Sequence, residues 1–152
     1  MRRSPLFFIL ALLTACSGTT IEVKSVVYGR PARNKIIRIA DIRVADTFVS
    51  SSAKSDIRRF LRFSLEKRGF RVLSAQEKGE DLTLDVFVKS GRIEAGVDEK
   101  YTAMLDLVIF SKEKRLLNVL ALYESDTPLI AGRQFMRVTG EVSDTISSKL
   151  KK

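Results

Sequence analysis

Leu82-Thr83-Leu84-Asp85-Val86-Phe87-Val88 alternates branched aliphatic residues with Thr83 and Asp85. Successive side chains of a strand point to opposite faces, so Leu82, Leu84, Val86 and Val88 line a core while Thr83 and Asp85 face away. One face of the sheet is therefore buried and the other at least partly wet. Phe87 breaks the polar side of the alternation and reads either as an ordinary surface aromatic or as a contact for a partner. Downstream, Gly91 to Lys100 is polar and reads as a connection, and Tyr101–Phe110 and Leu116–Tyr123 read as two further strands. Ser111-Lys112-Glu113-Lys114-Arg115 joins them as a hairpin turn by length and polarity, without the glycine that tight turns favour.

Upstream, Ile57, Phe60, Leu61, Ser64 and Leu65 recur at three- and four-residue spacing, which predicts a helix from Ala53 to Arg68. Ser52 or Ser55 is its candidate cap, Asp56 suits the positive end of its dipole, and Gly69 ends it by accepting a left-handed backbone. Phe70-Arg71-Val72-Leu73 follows as a strand. Two earlier strands are expected at Ile21–Tyr28 and Lys35–Val44, the second with a bulge near Ala40 where alternation breaks. Gly29–Asn34 is a basic loop between them. After a loop from Asp126 to Gly132, Gln134–Arg137 is expected to return briefly to the sheet. Val138, Val142, Ile146 and Leu150, four apart, then predict a closing helix. The order of elements predicts an α+β two-layer sandwich, with a mixed or mostly antiparallel sheet and two helices packed on one face.

Before this domain stands Met1-Arg2-Arg3, an apolar run from Pro5 to Leu13, and Leu13-Thr14-Ala15-Cys16. A basic start, a short hydrophobic stretch and small residues form an export signal, because a membrane span needs about 20 apolar residues. Leu13, Thr14, Ala15 and Cys16 resemble the lipobox of bacterial lipoproteins, and that resemblance implies cleavage before Cys16 with acyl chains on it. The competing reading is an ordinary cleavable signal with an unmodified cysteine. The expected organisation is signal peptide 1–15, lipidated cysteine and tether 16–20, and one domain over 21–152. Ser17 follows the cysteine where an aspartate would suggest inner-membrane retention, so the address expected is the outer membrane, facing the periplasm.

The 152-residue chain carries a formal charge of +9 and no histidine. Losing Arg2 and Arg3 leaves about +7, spread over both halves. Export sets aside nucleic acid and turns attention to lipopolysaccharide phosphates, phospholipid head groups, peptidoglycan carboxylates or an acidic protein face. A Ser-His-Asp arrangement and histidine ligation of a metal are impossible without histidine. The only cysteine is reserved for lipid, and Glu80-Asp81 and Asp98-Glu99 are adjacent loop carboxylates that diverge into solvent. The expectation is a protein that is not an enzyme and holds no cofactor or metal. Binding remains, with two basic zones as its handle. Lys24 to Arg43 contains Lys24, Arg30, Arg33, Lys35, Arg38 and Arg43, and Lys54 to Arg71 contains Lys54, Arg58, Arg59, Arg62, Lys67, Arg68 and Arg71. Arg30, Arg33, Arg58, Arg59 and Arg62 are the candidate anion-binding residues, because guanidinium groups pair bidentately with phosphate. A merely solvated basic helix face is the competing account.

The spacing Leu61-x-x-x-Leu65-x-x-x-Gly69-Phe70-x-Val72, then Leu82-x-Leu84-x-Val86, then Tyr101-x-x-x-Leu105-x-Leu107 and a closing helix resembles small periplasmic assembly lipoproteins. The LPS-assembly lipoprotein family is nearest in order of elements, followed by the lipoprotein activators of penicillin-binding proteins. The glycine-aromatic pair frequent after the lipidated cysteine of the first family is replaced here by Ser17-Gly18. The resemblance implies a membrane-anchored, non-catalytic accessory in envelope assembly or transport that binds an envelope protein, with lipopolysaccharide as a candidate ligand. The alternative it implies is a regulator of a peptidoglycan synthase, against which the short tether argues, since reaching the wall calls for a long linker.

Overall fold

The computed structural model describes residues 18–29, 36–45, 52–74, 76–79, 81–95, 98–126 and 132–150. The signal segment 1–15, Cys16, Arg30, Arg33 and Lys35 lie outside the described residues. In chain order the elements are β1 (Thr20–Val27), β2 (Ile36–Ala45), α1 (Ala53–Glu66), β3 (Arg71–Leu73), β4 (Leu82–Ala95), β5 (Asp98–Ser111), β6 (Lys114–Ser125) and α2 (Gly132–Leu150). The strands form one six-stranded sheet in the order β1-β6-β5-β4-β2-β3. Neighbours from β1 through β6 and β5 to β4 are antiparallel, whereas β2 runs parallel to both β4 and β3. A parallel pair needs a crossover, and α1 supplies it between β2 and β3. The fold is α+β with a mixed sheet.

Alternation sets the core as the β4 pattern requires. Leu82, Leu84, Val86 and Val88 of β4, Leu105, Leu107 and Ile109 of β5, and Leu117, Val119 and Ala121 of β6 are buried. They form a single cluster with Ile57, Leu61 and Leu65 of α1 and Val138, Val142 and Ile146 of α2. Register keeps these residues abreast: Val86 lies opposite Leu107, and Leu107 opposite Val119. The bulge expected near Ala40 is present as a register shift between Ile39 and Ile42, which lets Ile37, Ile39 and Ile42 all remain buried. Gly69 has φ +81°, and its N–H donates to the Glu66 carbonyl at 2.9 Å, so the left-handed residue closes α1.

Four local readings are corrected. Residues 91–100 are not a polar connection: β4 continues to Ala95 and β5 begins at Asp98, with Arg92 opposite Tyr101 and Glu94 opposite Glu99. This end of the ribbon lacks a core face, so it carries no apolar alternation to betray it, and it is held instead by backbone pairing and by an Arg92–Glu99 ion pair. Gln134–Arg137 does not return to the sheet but forms the first turns of α2, because Phe135 extends the stripe of Val138 and Val142 by one helical step and is itself buried. Ser52 occupies the cap position of α1 without capping: its hydroxyl donates to Asp56 Oδ2 at 3.1 Å, while Ser55 Oγ donates to the Ser52 carbonyl at 2.6 Å. Glu99, expected to diverge into solvent, is exposed but does not stand alone, since it binds both Arg92 and the Tyr101 hydroxyl. The glycine-free hairpin holds, with Lys112 and Glu113 both at positive φ (47° and 69°), the pair of left-handed residues that the twist of a two-residue turn demands.

Candidate functional site

Cationic and aromatic side chains meet where the two helices touch. Phe60 and Phe135 stack with ring centroids 5.7 Å apart, and Ser64 Oγ donates to the Thr139 carbonyl at 3.2 Å. Further along both helices Arg68 reaches Asp144. Contacts that advance together along both chains mean that α1 and α2 run parallel. Between them lies a groove of about 240 Å³, lined by Phe60, Phe63, Ser64, Lys67, Met136 and Thr139 among others. Phe63 and Met136 are 52% and 46% exposed. Lys67 Nζ stands 4.4 Å from the centre of the Phe63 ring, and the Arg59 guanidinium 5.2 Å from that of Phe60.

Arg68 locks the far end of this groove. Its Nε and Nη2 donate to the two Asp144 carboxylate oxygens at 2.7 and 2.6 Å, Nη2 also to the Gly140 carbonyl at 2.9 Å, and Nη1 to the Ser64 carbonyl at 2.8 Å. The Arg68 hydrogen bond, opposed by desolvation and helped by its charge, holds the Asp144 carboxyl below its usual value. Arg68→Ala is expected to cost about 1–2 kcal/mol, chiefly from the Ser64 carbonyl at the end of α1, which the backbone N–H of Arg68 passes over for Leu65 and which would lose its donor, since Gly140 keeps its partner within α2 and Asp144 is largely exposed and screened. A carboxyl with a depressed folded value stabilises above its unfolded pKa of about 3.9, and that share is lost as pH falls through the folded value. Urea titrations of wild type and Asp144→Asn should therefore differ most near neutrality and converge in acid. A gap that widens in acid would reject the pairing.

The structure separates the arginines that sequence grouped. Arg59 pairs with Asp56 at 2.9 Å and sits beside the groove. Arg58 and Arg62 each lie two residues from Phe60, roughly 160° around the helix from the groove wall. Arg62 pairs with Glu66 at 2.9 Å; that hydrogen bond, with the charges of Glu66 and Glu77, raises the affinity of its guanidinium for its proton. Glu77 marks this flank: its carboxyl accepts the Ser74 N–H at 2.7 Å, is held below its usual value mainly by Ser74, and lies near Arg71, while its carbonyl accepts from Arg38. Lys24 on β1 and Arg43 on β2 are separated by three strands, roughly 19 Å, so the first basic zone is not one patch. Lys24 pairs with Glu22 and Arg43 with Asp41.

Two other features bear on binding. The sheet ends at one side in the three-residue β3 and at the other in the eight-residue β1, whose outer edge no described element pairs. Val26, Val27 and Tyr28, at the end of that edge, are about half exposed, with Arg115 over the Tyr28 ring at 5.5 Å. On the sheet face away from the core lies an open hollow of about 440 Å³ beside Glu22, Lys89, Gly91, Thr102, Met104 and Leu122. Phe87 is half-buried on that same face, opposite Asp106, which accepts from Asn118. Among the described residues no group of three or more His, Cys, Asp or Glu could hold a metal ion.

Sequence reasoning missed Phe63, Met136, Arg133 and Arg137. Extending the α2 stripe back to Phe135 would have placed Arg133, Met136 and Arg137 on a helix; the meeting of Met136 with Phe63 needed the helix pairing.

No protein-family model matches the chain, and no curated protein does. Among solved structures, it is similar to the PelC dodecamer from Paraburkholderia phytofirmans at 13% identity and a TM-score of 0.61, covering 87% of this chain and 98% of that one. It is also similar to the hypothetical protein CT253 from Chlamydia trachomatis at 6% identity and a TM-score of 0.57, covering 77% and 98%. At these identities the likeness is one of fold: the chain has the same arrangement of sheet and helices as these two proteins over nearly their whole length.

Proposed function

We propose that this chain is a lipid-anchored, non-catalytic accessory in envelope assembly or transport, held on the outer membrane through Cys16 and docking a partner protein on the periplasmic side. The observation that carries the reading is the edge of β1 that no described element pairs, which begins four residues after the lipobox cysteine. A long unpaired edge is a template for strand addition, and proteins that do not use one shorten or cover it, as β3 is shortened here. Placing that edge next to an anchor presents it to proteins of the same membrane. The lipobox supports the address, and the resemblance to assembly lipoproteins supports the class. The PelC neighbour, a dodecamer, supports assembly as a use of this fold and leaves the partner's identity to experiment.

In-cell crosslinking of the full-length protein, followed by gentle detergent extraction, is the test. The expected product is a stoichiometric outer-membrane barrel or transport component, crosslinked through β1. A peptidoglycan synthase in its place would reject the assembly role in favour of the regulator reading.

A further inference from the structure

We propose that the α1/α2 groove is a peripheral membrane-docking surface, which lays the outer side of the helix pair on an anionic phospholipid bilayer. Phe63 and Met136 enter the boundary between head groups and acyl chains, and Lys67, Arg133 and Arg137 meet the phosphates. This deepens the anchored-accessory reading and rests on it for the position of the membrane.

Large side chains without cover are the first observation. Phe63 and Met136, half exposed, lie together on the groove beside Lys67, and Arg133 and Arg137 stand within one helical turn of Met136 on α2; exposed apolar side chains flanked by cations are the composition of surfaces that lie in a bilayer interface. No helix among the described residues is long and apolar enough to cross a membrane. Charge is the second. Arg133 and Arg137 occupy the first two turns of α2, the positive end of its dipole, where a cation lowers helix stability. Among the described residues neither has a carboxylate partner, and no ion pair joins Arg137 to Glu141 one turn on. The nearby acids Asp56 and Asp144 are taken by Arg59 and Arg68. Glu141 offsets only one of Lys67, Arg133 and Arg137, so the net unmatched charge on this face is positive, and an anionic surface complements it.

The chain leading to Cys16 supplies the third observation. Thr19 Oγ1 lies 2.8 Å from Ser125 Oγ and accepts from Gln134 Nε2 at 3.5 Å, which fixes the tether against the start of α2. Cys16 lies three steps along the chain from Thr19, a reach of about 10 Å, which is close to the diameter of a helix. Gln134 is two residues from Met136, roughly 160° around α2 from the groove, so a tether extended across the start of that helix is what brings an acyl chain on Cys16 to the groove side and lets the anchor and the groove address one bilayer.

Flotation with vesicles tests this on the unlipidated chain from Ser17, which retains the whole described core, from Ile21 to Leu150. It is expected to bind phosphatidylcholine vesicles containing phosphatidylglycerol, to ignore phosphatidylcholine alone, and to release as salt rises. Arg133→Glu with Arg137→Glu should weaken binding by at least about 30-fold. Those changes favour the α2 dipole, so the fold, checked by circular dichroism, is not at risk. Phe63→Ser with Met136→Ser should weaken it by roughly tenfold. Arg58→Glu with Arg62→Glu, on the flank, should weaken it far less. Equal loss from the flank reversal would show that net charge alone binds and would overturn the groove. Failure of the folded wild-type chain to bind either vesicle would also overturn it and leave the groove to an acidic protein. Palmitate incorporation at Cys16, measured separately in cells, decides the anchor: labelled protein with a membrane-silent groove removes this inference and leaves the accessory reading standing.

Discussion

Cys16→Ser is expected to abolish palmitate labelling and to empty the membrane fraction of processed protein, leaving an uncleaved precursor or a soluble periplasmic form. The size of the effect follows from acyl-chain arithmetic. Each buried methylene contributes about 0.8 kcal/mol, one chain gives only marginal reversible binding, and two chains anchor stably. Cys16 is the only cysteine in the chain, so no second thiol can take the lipid. The groove of α1 and α2 does not rescue the variant, because an interfacial face of two large apolar side chains and three cations binds reversibly and is displaced by salt. Subcellular fractionation with and without a high-salt wash separates the two contributions. A fully processed, salt-resistant membrane fraction from the serine variant would reject the lipoprotein reading, and with it the geometry on which the groove inference depends.

Leu107→Ala is expected to destabilise the domain by about 3–5 kcal/mol, a large share of the roughly 5–15 kcal/mol by which domains are stable. Leu107 is fully buried on β5, one of the two middle strands of the sheet, opposite Val86 on one side and Val119 on the other. Both cross-strand neighbours are β-branched and held by their own strands, so they cannot swing in to fill the space. Leu107→Met keeps the volume and should cost less than about 1.5 kcal/mol. Phe63→Ser, on the exposed groove, should stay within about 0.5 kcal/mol of wild type. Urea unfolding of the three variants measures the contrast. Near-equal midpoints for Leu107→Ala and Leu107→Met would mean that the core on this face is loosely packed and that the β4–β5–β6 register assigned here is wrong.

The parts legible in sequence are those in which one face is buried and the other is not. Leu82-x-Leu84-x-Val86 had to be a half-buried strand, and Ile57, Leu61 and Leu65 had to be one side of a helix ended at Gly69. The break near Ala40 had to relax the pairing if Ile37, Ile39 and Ile42 were all to face inward. The reading failed where burial imposes no pattern. Arg92-Ile93-Glu94 and Glu99-Lys100-Tyr101 pair as strands beyond the core, and their ladder is satisfied by backbone and ion pairs that any polar sequence could supply. The first turns of α2 were mistaken for a strand because Gln134 to Arg137 is too short to display a period without the continuation to Val138.

Among the candidate anion-binding residues, Arg30 and Arg33 fall outside the described residues, and sequence proximity misled for the rest. Arg58, Arg59 and Arg62 are neighbours in the chain, yet a helix turns 100° per residue and sends Arg59 towards the groove while Arg58 and Arg62 go to the flank beside Glu77. By itself, the sequence determined the α+β class and the alternation of the core, because each is a pattern of hydrophobicity along the chain, and it carries the expectation of an export signal ending at the lone cysteine. Only the tertiary structure decided that β1 is an edge strand of the described sheet, that β2 lies between β4 and β3, and that Phe63 and Lys67 of one helix share a groove with Met136 of another. Those contacts join residues from 35 to 104 positions apart, and no local period encodes a pairing whose free energy exists only once the sheet and both helices have closed on the same core.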